Sequence, residues 1–165
     1  MNGDPLGFAG RSVLRRHRGL ATVELALVLP ILLLLIFAIL DFGRLIYTQT
    51  TLQHAMREGG RYGVTGQRLP NPSDPHNLQS RLQSIKQIVH DSAVGVSVNM
   101  SDIVISSALG GNDNAGGPGD TLTISLTYEF HFATPLIGRY FNNGSYRFTT
   151  STSFRNEPFP PSAGT

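Results

Sequence analysis

The longest apolar pattern in this chain is the run between Leu20 and Leu40, which holds 21 residues. A helix of that length spans about 30 Å, the thickness of the hydrocarbon core of a bilayer. Basic residues cluster just before the run: Arg11, Arg15, Arg16, His17 and Arg18. Because basic residues stay on the cytoplasmic side, the pattern predicts a cytoplasmic leader at 1–19, a transmembrane helix at 20–40, and export of the remainder.

Helical periodicity continues beyond the apolar run, so we expect a soluble continuation of the same helix over residues 41–66. Its recurring apolar or small positions are Leu45, Leu52, Ala55, Met56 and Gly59. Three glycines near its end, at 59, 60 and 63, either terminate the helix or allow another element to approach closely.

Charged residues on this continuation stand at helical spacing. Asp41 with Arg44, and Glu58 with Arg61, lie three apart and can pair on a solvated surface, each pair contributing roughly 0.2–0.5 kcal/mol. The alternative is that these four residues and Arg57 contact neighbouring subunits, where loss of water would make the same pairs matter more.

Residues 67–157 are expected to form one exported domain. Residues 68–75 hold three prolines and predict a linker or turn. A short helix should follow, capped by Ser73 or Asp74 and ending near His90. Its apolar stripe comprises Leu78, Leu82, Ile85 and Val89.

Alternation with a period of two predicts an antiparallel sheet of three or four strands, and therefore an α+β fold. The expected strands cover residues 94–100, 103–106, 121–132 and 146–155. A glycine-rich connection occupies 110–120, and a proline-rich tail occupies 158–165. Apolar residues in the loop 134–144 either plug an open end of the core or form a contact surface for a partner.

Composition narrows the possible functions. The chain has 165 residues, which leaves room for one exported domain of ordinary size, and it has no cysteine. Disulfides and thiolate metal sites are therefore excluded. The net charge is only +2, and four of the thirteen Lys and Arg residues lie in the leader, so we expect no nucleic-acid partner.

Candidate chemistry is equally sparse. The five histidines lack the spacing of a zinc motif, and no nucleophile elbow or phosphate-binding loop occurs. The oxygen-bearing residues Asn112, Asp113, Asn114 and Asp120 lack EF-hand spacing and are more typical of turns than of a calcium site. We therefore expect no catalytic residue, no metal and no cofactor, and predict that the protein is not an enzyme.

Glu24, a carboxylate inside the apolar run, allows three interpretations. A cleaved secretory signal fits poorly, because such a signal has an uncharged apolar region followed by small residues. A plain single-span anchor tolerates one carboxylate close to the membrane boundary. The third interpretation rests on spacing, since Glu24 is the fifth residue counted from Leu20, which directly follows Gly19.

That spacing is similar to a prepilin of the type IV pilin-like superfamily. Within the superfamily, the stretch GLATVELALVLPILLLLIFAILDFGRLIYTQTTLQHAMREGGRYG, residues 19–63, resembles TadE-like proteins of the tight-adherence, or Flp-type, pilus system. Leu25 replaces the usual Phe and Gly60 a frequent Ala, both mild departures. The strong part of the resemblance covers about a quarter of the chain, and residues 151–157 show a weaker likeness to the family's last strand.

The resemblance implies a pilin-like fold and the role of a minor pilin or pseudopilin in assembling a pilus for surface attachment. A prepilin peptidase would cut between Gly19 and Leu20. The new amine of a neighbouring subunit's Leu20 could then neutralise Glu24. Pro30 would bend the helix, or let it partly unwind on entering a fibre.

The implied partners are the inner membrane, the peptidase, other pilin and minor pilin subunits and the assembly platform. The implied location is a single pass through the bacterial inner membrane, with the C-terminal domain periplasmic or, in an assembled pilus, extracellular. The alternative function is an unprocessed, membrane-anchored periplasmic binding or adhesion module.

Overall fold

The structure is a computed structural model that describes residues 16–160. Its helices are α1 (Arg16–Val64), α2 (Arg81–Ser92) and α3 (Pro135–Gly138), with 3₁₀ turns at Met100–Asp102 and Asn142–Gly144. Its strands are β1 (Pro70–Asn71), β2 (Asp74–Leu78), β3 (Ile103–Ser107), β4 (Gly111–Asn112), β5 (Thr121–His131) and β6 (Ser145–Arg155). The predicted α+β fold is confirmed. Residues 1–15 of the predicted leader and 161–165 of the predicted tail lie outside the described residues.

The chain divides into two compact units, of which the first ends at Leu40. Its described part is the N-terminal portion of α1, which continues through Pro30 as helix. From Gly19 to Leu40 every side chain is exposed except the half-buried Ala38. By length and composition this is the one helix of the described chain apolar enough to cross a membrane.

The second unit, residues 41–165, contains the rest of α1 and the sheets. The larger sheet is antiparallel with the strand order β4-β3-β5-β6, and the smaller one is the hairpin β1-β2. β5 pairs with β6 along its whole length, from Thr121 opposite Arg155 to His131 opposite Ser145. The strands predicted at 103–106, 121–132 and 146–155 are confirmed, each with one end shifted by one residue.

The core of this unit lies between one face of the larger sheet and the helices α1 and α2. The sheet contributes Ile103, Ile105, Leu122, Ile124 and Leu126, and the helices contribute Leu52, Ala55, Met56, Ile85 and Val89. Alternate residues of β5, such as Thr121 and Thr127, are exposed, as the period-two pattern predicts. The apolar faces of the helices and of the sheet therefore pack together in one core.

The α1 continuation, residues 41–64, is tied to the sheet region at both ends. Near its start, the Asp41 carboxylate accepts hydrogen bonds from the backbone just after β5. At its end, the Val64 carbonyl accepts one from the Glu157 N–H, 3.0 Å away, just after β6. Both the 24-residue helical part and the 11-residue β5 are about 36 Å long, so helix and strand match in length. We refer to the two ends of the α1 continuation as the Asp41 end and the Val64 end.

The predicted short second helix is confirmed, but its predicted start is wrong. The proline-rich stretch forms the β1-β2 hairpin, and α2 therefore begins at Arg81, where Ser80 Oγ accepts a hydrogen bond from the Gln83 N–H at 3.2 Å. Asp74, a predicted cap, instead accepts from the His76 N–H within β2. The β1-β2 pairing provides hydrogen-bond partners for the backbone of residues 70–78, so the helix begins only after the hairpin.

The strand predicted at 94–100 does not form. Gly95 adopts a φ of +76°, which turns the chain immediately after α2, and the Val96 N–H donates to the Ala93 carbonyl at 3.0 Å. Val98 is buried but Val94 is 71% exposed, so the valines do not share one face. The predicted loops 110–120 and 134–144 contain the short elements β4 and α3.

Candidate functional site

The predicted processing site lies in the first unit. Gly19 is helical, and a Cβ added to it would meet no atom within 4 Å, while Leu20 is 73% exposed. Glu24 is also exposed on the helix surface. The space beside Gly19 is therefore open in the part of the chain that the structure describes.

Asp41 begins the second unit and is almost completely buried, with 1% of its surface exposed. Its Oδ1 accepts the N–H of Ala133 at 3.0 Å and its Oδ2 accepts the N–H of Thr134 at 2.9 Å. Burial by itself would raise the pKa of Asp41, but hydrogen bonds from Thr134 and Ala133, together with the positive Arg44, outweigh it and lower that pKa. The ionised carboxylate therefore caps the backbone where the chain leaves β5.

Arg44 completes this arrangement from one helical turn away. Its Nη1 lies 3.5 Å from Asp41 Oδ1, and its guanidinium carbon lies 5.5 Å from the centre of the Phe130 ring. The Arg44 side chain is 58% exposed. The expected Asp41–Arg44 pair is present, but its carboxylate faces the protein interior rather than solvent.

The remaining charged candidates lie at the other end of the continuation. Arg57 and Arg61 are exposed and Glu58 is half-buried. Glu58 Oε1 and Arg61 Nη1 are 4.0 Å apart, which is a loose surface pair of little energetic value. All three side chains are accessible to another molecule.

The glycines beside these charges face the interior. A Cβ at Gly59 would overlap Val89 of α2, one at Gly60 would overlap the Phe154 ring of β6, and one at Gly63 would lie 2.8 Å from Leu122 Cδ2. The glycines therefore allow close approach rather than ending the helix, which continues to Val64. The motif REGGR divides into a charged outer face and a glycine inner face.

These motifs lie in a segment that is similar to known proteins. Residues 19–61 match the family model of TadE-like proteins. The resemblance stated from the sequence is thus confirmed over this TadE-like segment. No curated protein and no solved structure matches the chain.

The match shows that this part of the chain, the apolar helix with the charged motifs that follow it, is similar to TadE-like proteins. The long apolar helix fits a single-pass membrane protein. The TadE-like segment begins at Gly19 and ends at Arg61. All nine site residues predicted from the sequence lie inside it: Gly19, Leu20, Glu24, Pro30, Asp41, Arg44, Arg57, Glu58 and Arg61.

Arg81, outside the TadE-like segment, is a buried hub that the sequence reasoning missed. It is 1% exposed. Its Nε and Nη2 donate to the Gly63 carbonyl at 3.0 and 2.8 Å, Nη2 also donates to Asn156 Oδ1 at 2.8 Å, and Nη1 donates to the Gly116 carbonyl. The Phe159 ring covers the guanidinium at 4.7 Å. Arg81 thus joins the end of α1, the glycine-rich loop and the C-terminal segment.

The electrostatics of this hub rest on backbone carbonyls. Burial lowers the pKa of Arg81 from its ordinary value, and the negative charge of Asp120 partly offsets that effect. A guanidinium nevertheless stays protonated in proteins. A signal was present in the sequence, because Arg81 lies four residues before Ile85 and eight before Val89, on the apolar stripe of α2.

The oxygen-bearing loop residues satisfy the loop's own backbone. Asn114 Oδ1 accepts from the Gly116 N–H at 2.7 Å, and Asp120 Oδ1 accepts from the Thr121 N–H at 2.7 Å. Among the residues that the structure describes, no group of three or more His, Cys, Asp or Glu side chains is arranged to hold a metal ion.

Proposed function

We propose that this protein is a minor pilin or pseudopilin that takes part in assembling a tight-adherence, Flp-type pilus used for surface attachment. The observation that supports this most directly is the family match, which starts at the glycine preceding the apolar run and extends through the charged motifs of α1. The folded unit beyond residue 40 supplies a small domain of the kind that such subunits carry.

We further propose that the Leu20–Leu40 part of α1 is inserted in the bacterial inner membrane, with the leader in the cytoplasm and the sheet domain in the periplasm or in the assembled pilus. The basic residues before the run favour this orientation. The exposed apolar side chains of 20–40 support insertion, because in water they would present an apolar surface far larger than a soluble monomer keeps.

Processing by a prepilin peptidase between Gly19 and Leu20 is part of this proposal. The open space beside Gly19 and the 73% exposure of Leu20 support it. Cleavage would leave a free amine at Leu20 and place Glu24 at position five. In the pilus or its precursor, that amine from one subunit would pair with Glu24 of another, removing the cost of a lone charge in an apolar layer.

The charged residues of α1 divide between two roles in the proposed assembly. Arg57, Glu58 and Arg61 are accessible and would contact neighbouring subunits directly. Asp41, by contrast, accepts hydrogen bonds from the backbone that follows β5 in the same chain, so it and Arg44 would act by holding the sheet on the helix. Pro30 would let the apolar helix adapt when it passes from lipid into the assembly.

The first experiment is the intact mass of the protein recovered from membranes of cells with and without the peptidase. We expect a mass that begins at Leu20 in peptidase-positive cells and at Met1 in peptidase-negative cells. Gly19→Trp should block cleavage, whereas Gly43→Ala, a change on the same helix with no neighbouring atom, should not. Full-length protein in both strains would favour the unprocessed anchor module.

The second experiment separates assembly from insertion. Glu24→Gln should insert normally, because one charge near the end of a long apolar run is tolerated in either case. It should fail to recover partner subunits by co-purification. Pilus formation at the wild-type level by this variant would contradict amine pairing. The comparison variant is Glu58→Gln, which shows the effect of losing a carboxylate from the accessible outer face of α1.

A further inference from the structure

The segment 134–141 carries exposed apolar and aromatic residues and begins at a fixed point on α1. Asp41 follows the apolar run directly, so it lies about 1.5 Å along the helix from Leu40. Its carboxylate holds the N–H groups of Ala133 and Thr134. The start of the segment is therefore tied to the first residue after the proposed membrane span.

The end of the segment is held at the same level. The Phe141 ring stacks on Phe132 with centroids 4.5 Å apart, and Phe132 meets the edge of Phe42 at 6.3 Å. Phe42 is the residue after Asp41. The start of the segment is thus bonded to Asp41 directly, and its end is linked to Phe42 through the Phe132 ring.

That level corresponds to a defined layer of a bilayer. The hydrocarbon core is about 30 Å thick and the whole bilayer about 40–45 Å, so a headgroup layer of roughly 5–8 Å flanks each side. If residues 20–40 cross the hydrocarbon core, as proposed above, positions 41–42 begin this layer. The start of the segment, which is bonded to Asp41, then lies at the edge of this layer.

The side chains of the segment suit that layer. Tyr140 is 86% exposed, Leu136 is 49% exposed, and Arg139 between them is exposed as well. Tyrosine is enriched at membrane interfaces because its ring is apolar and its hydroxyl remains hydrated. Arginine binds phosphate in a bidentate manner. Phe141, in contrast, is half-buried and stacks on Phe132.

We propose that residues 134–141 form a membrane-contacting segment, in which Leu136 and Tyr140 enter the headgroup layer on the domain side and Arg139 binds lipid phosphate. This inference rests on the proposed membrane span of residues 20–40. It identifies the bilayer itself as a docking surface for the folded domain, in addition to the helix that anchors it.

The experiment uses the full chain in vesicles of phosphatidylethanolamine and phosphatidylglycerol. Because the chain has no cysteine, single cysteines can carry an environment-sensitive fluorophore. The test position is Tyr140→Cys. The matched control is Leu109→Cys, 89% exposed but at the Val64 end of the sheet, about 30 Å away along β5. Ile31→Cys, in the middle of the apolar run, reports insertion independently.

We expect lipids with a nitroxide on the headgroup to quench the label at 140 at least threefold more than the label at 109, with the label at 31 blue-shifted and shielded from iodide. Equal quenching at 140 and 109, with 31 shielded, would overturn the inference but leave the span intact. An aqueous label at 31 would overturn the span and the inference together. A blue-shifted label at 140 without lipid quenching would indicate a protein occupant, such as another subunit, and would also overturn it.

Discussion

The two halves of α1 differ in where their apolar side chains go. Between Leu20 and Leu40 they point outward and are exposed, whereas in the 41–64 continuation Leu52, Ala55 and Met56 are completely buried against the sheet and α2. The helix is continuous across the boundary. One half therefore needs a partner from outside the chain, lipid or other helices, and the other half already has its partner within the chain.

The polar residues of the two halves differ in the same way. Glu24 is exposed in the first half, while Asp41 at the start of the second is buried and accepts two backbone hydrogen bonds. A carboxylate engaged in this way stabilises a fold. An exposed carboxylate such as Glu24 remains open to contacts from outside the chain. The contrast leads to the following predictions, all measured as the free energy of unfolding of the sheet domain in the full chain in detergent micelles.

The largest effect is expected for Arg81→Met. This change leaves the buried Gly116 carbonyl and Asn156 Oδ1 without the Arg81 donor, and the Gly63 carbonyl with only the Gly66 N–H. Each unsatisfied buried acceptor costs about 1–3 kcal/mol, so we expect a loss of about 3–5 kcal/mol. The control is Arg61→Met, whose side chain is 78% exposed. We expect the control to lie within about 0.5 kcal/mol of the wild type. Equal stability of the two variants would show that the hub is dispensable.

Leu52→Ala and Leu27→Ala compare the same substitution in the two halves. Leu52 is 0% exposed and should cost about 2–5 kcal/mol, from lost burial and the cavity left behind. Leu27 is 69% exposed and should leave the sheet domain unchanged. A similar loss from both substitutions would mean that the first half also packs on the folded domain.

Gly60→Ala and Gly43→Ala test the close approach of α1 to the sheet. The new methyl at 60 would overlap the Phe154 ring, so we expect a loss of about 1–3 kcal/mol despite the better helix propensity of alanine. At 43 no atom lies within 4 Å. That variant should be unchanged or gain up to about 1 kcal/mol. A stabilised Gly60→Ala would contradict the tight packing described here.

Asp41→Asn should lower stability by about 1.5–3 kcal/mol at neutral pH, since hydrogen bonds to a charged acceptor are replaced by weaker ones and the new amide faces an N–H. Because the pKa of Asp41 is lowered in the folded state, its contribution is present above the unfolded pKa of about 4 and is lost as the pH falls through the folded value.

The difference between Asp41→Asn and the wild type should therefore shrink on acidification. Glu24→Gln, the matched carboxylate of the first half, should leave the stability of the sheet domain unchanged throughout the pH series. A stability difference between Asp41→Asn and the wild type that stays constant down to pH 2 would contradict a charge-dependent cap.

Much of this arrangement was predictable from local pattern. The apolar run, the helix beyond it and the strands at 103–107, 121–131 and 145–155 follow from periods of 3.6 and 2 in the side chains. The TadE-like segment was recognisable because its motifs are contiguous. In each case the signal lies in residues that are neighbours in sequence, and a helical or strand period is a property of such neighbours.

The tertiary structure decided the features that depend on distant partners. Gly95 was one glycine within an alternating valine pattern until its positive φ turned the chain. In the sequence, Asp41 and Arg81 look like ordinary charged residues. In the structure they contact backbone groups that lie 92 and 35 residues away, respectively. Periodicity shows which side of an element is buried, but the atoms that meet a buried charge are set by packing. The sequence by itself thus determined the long helix, three of the strands and the segment that needs an external partner, whereas tertiary packing determined which charges hold the fold.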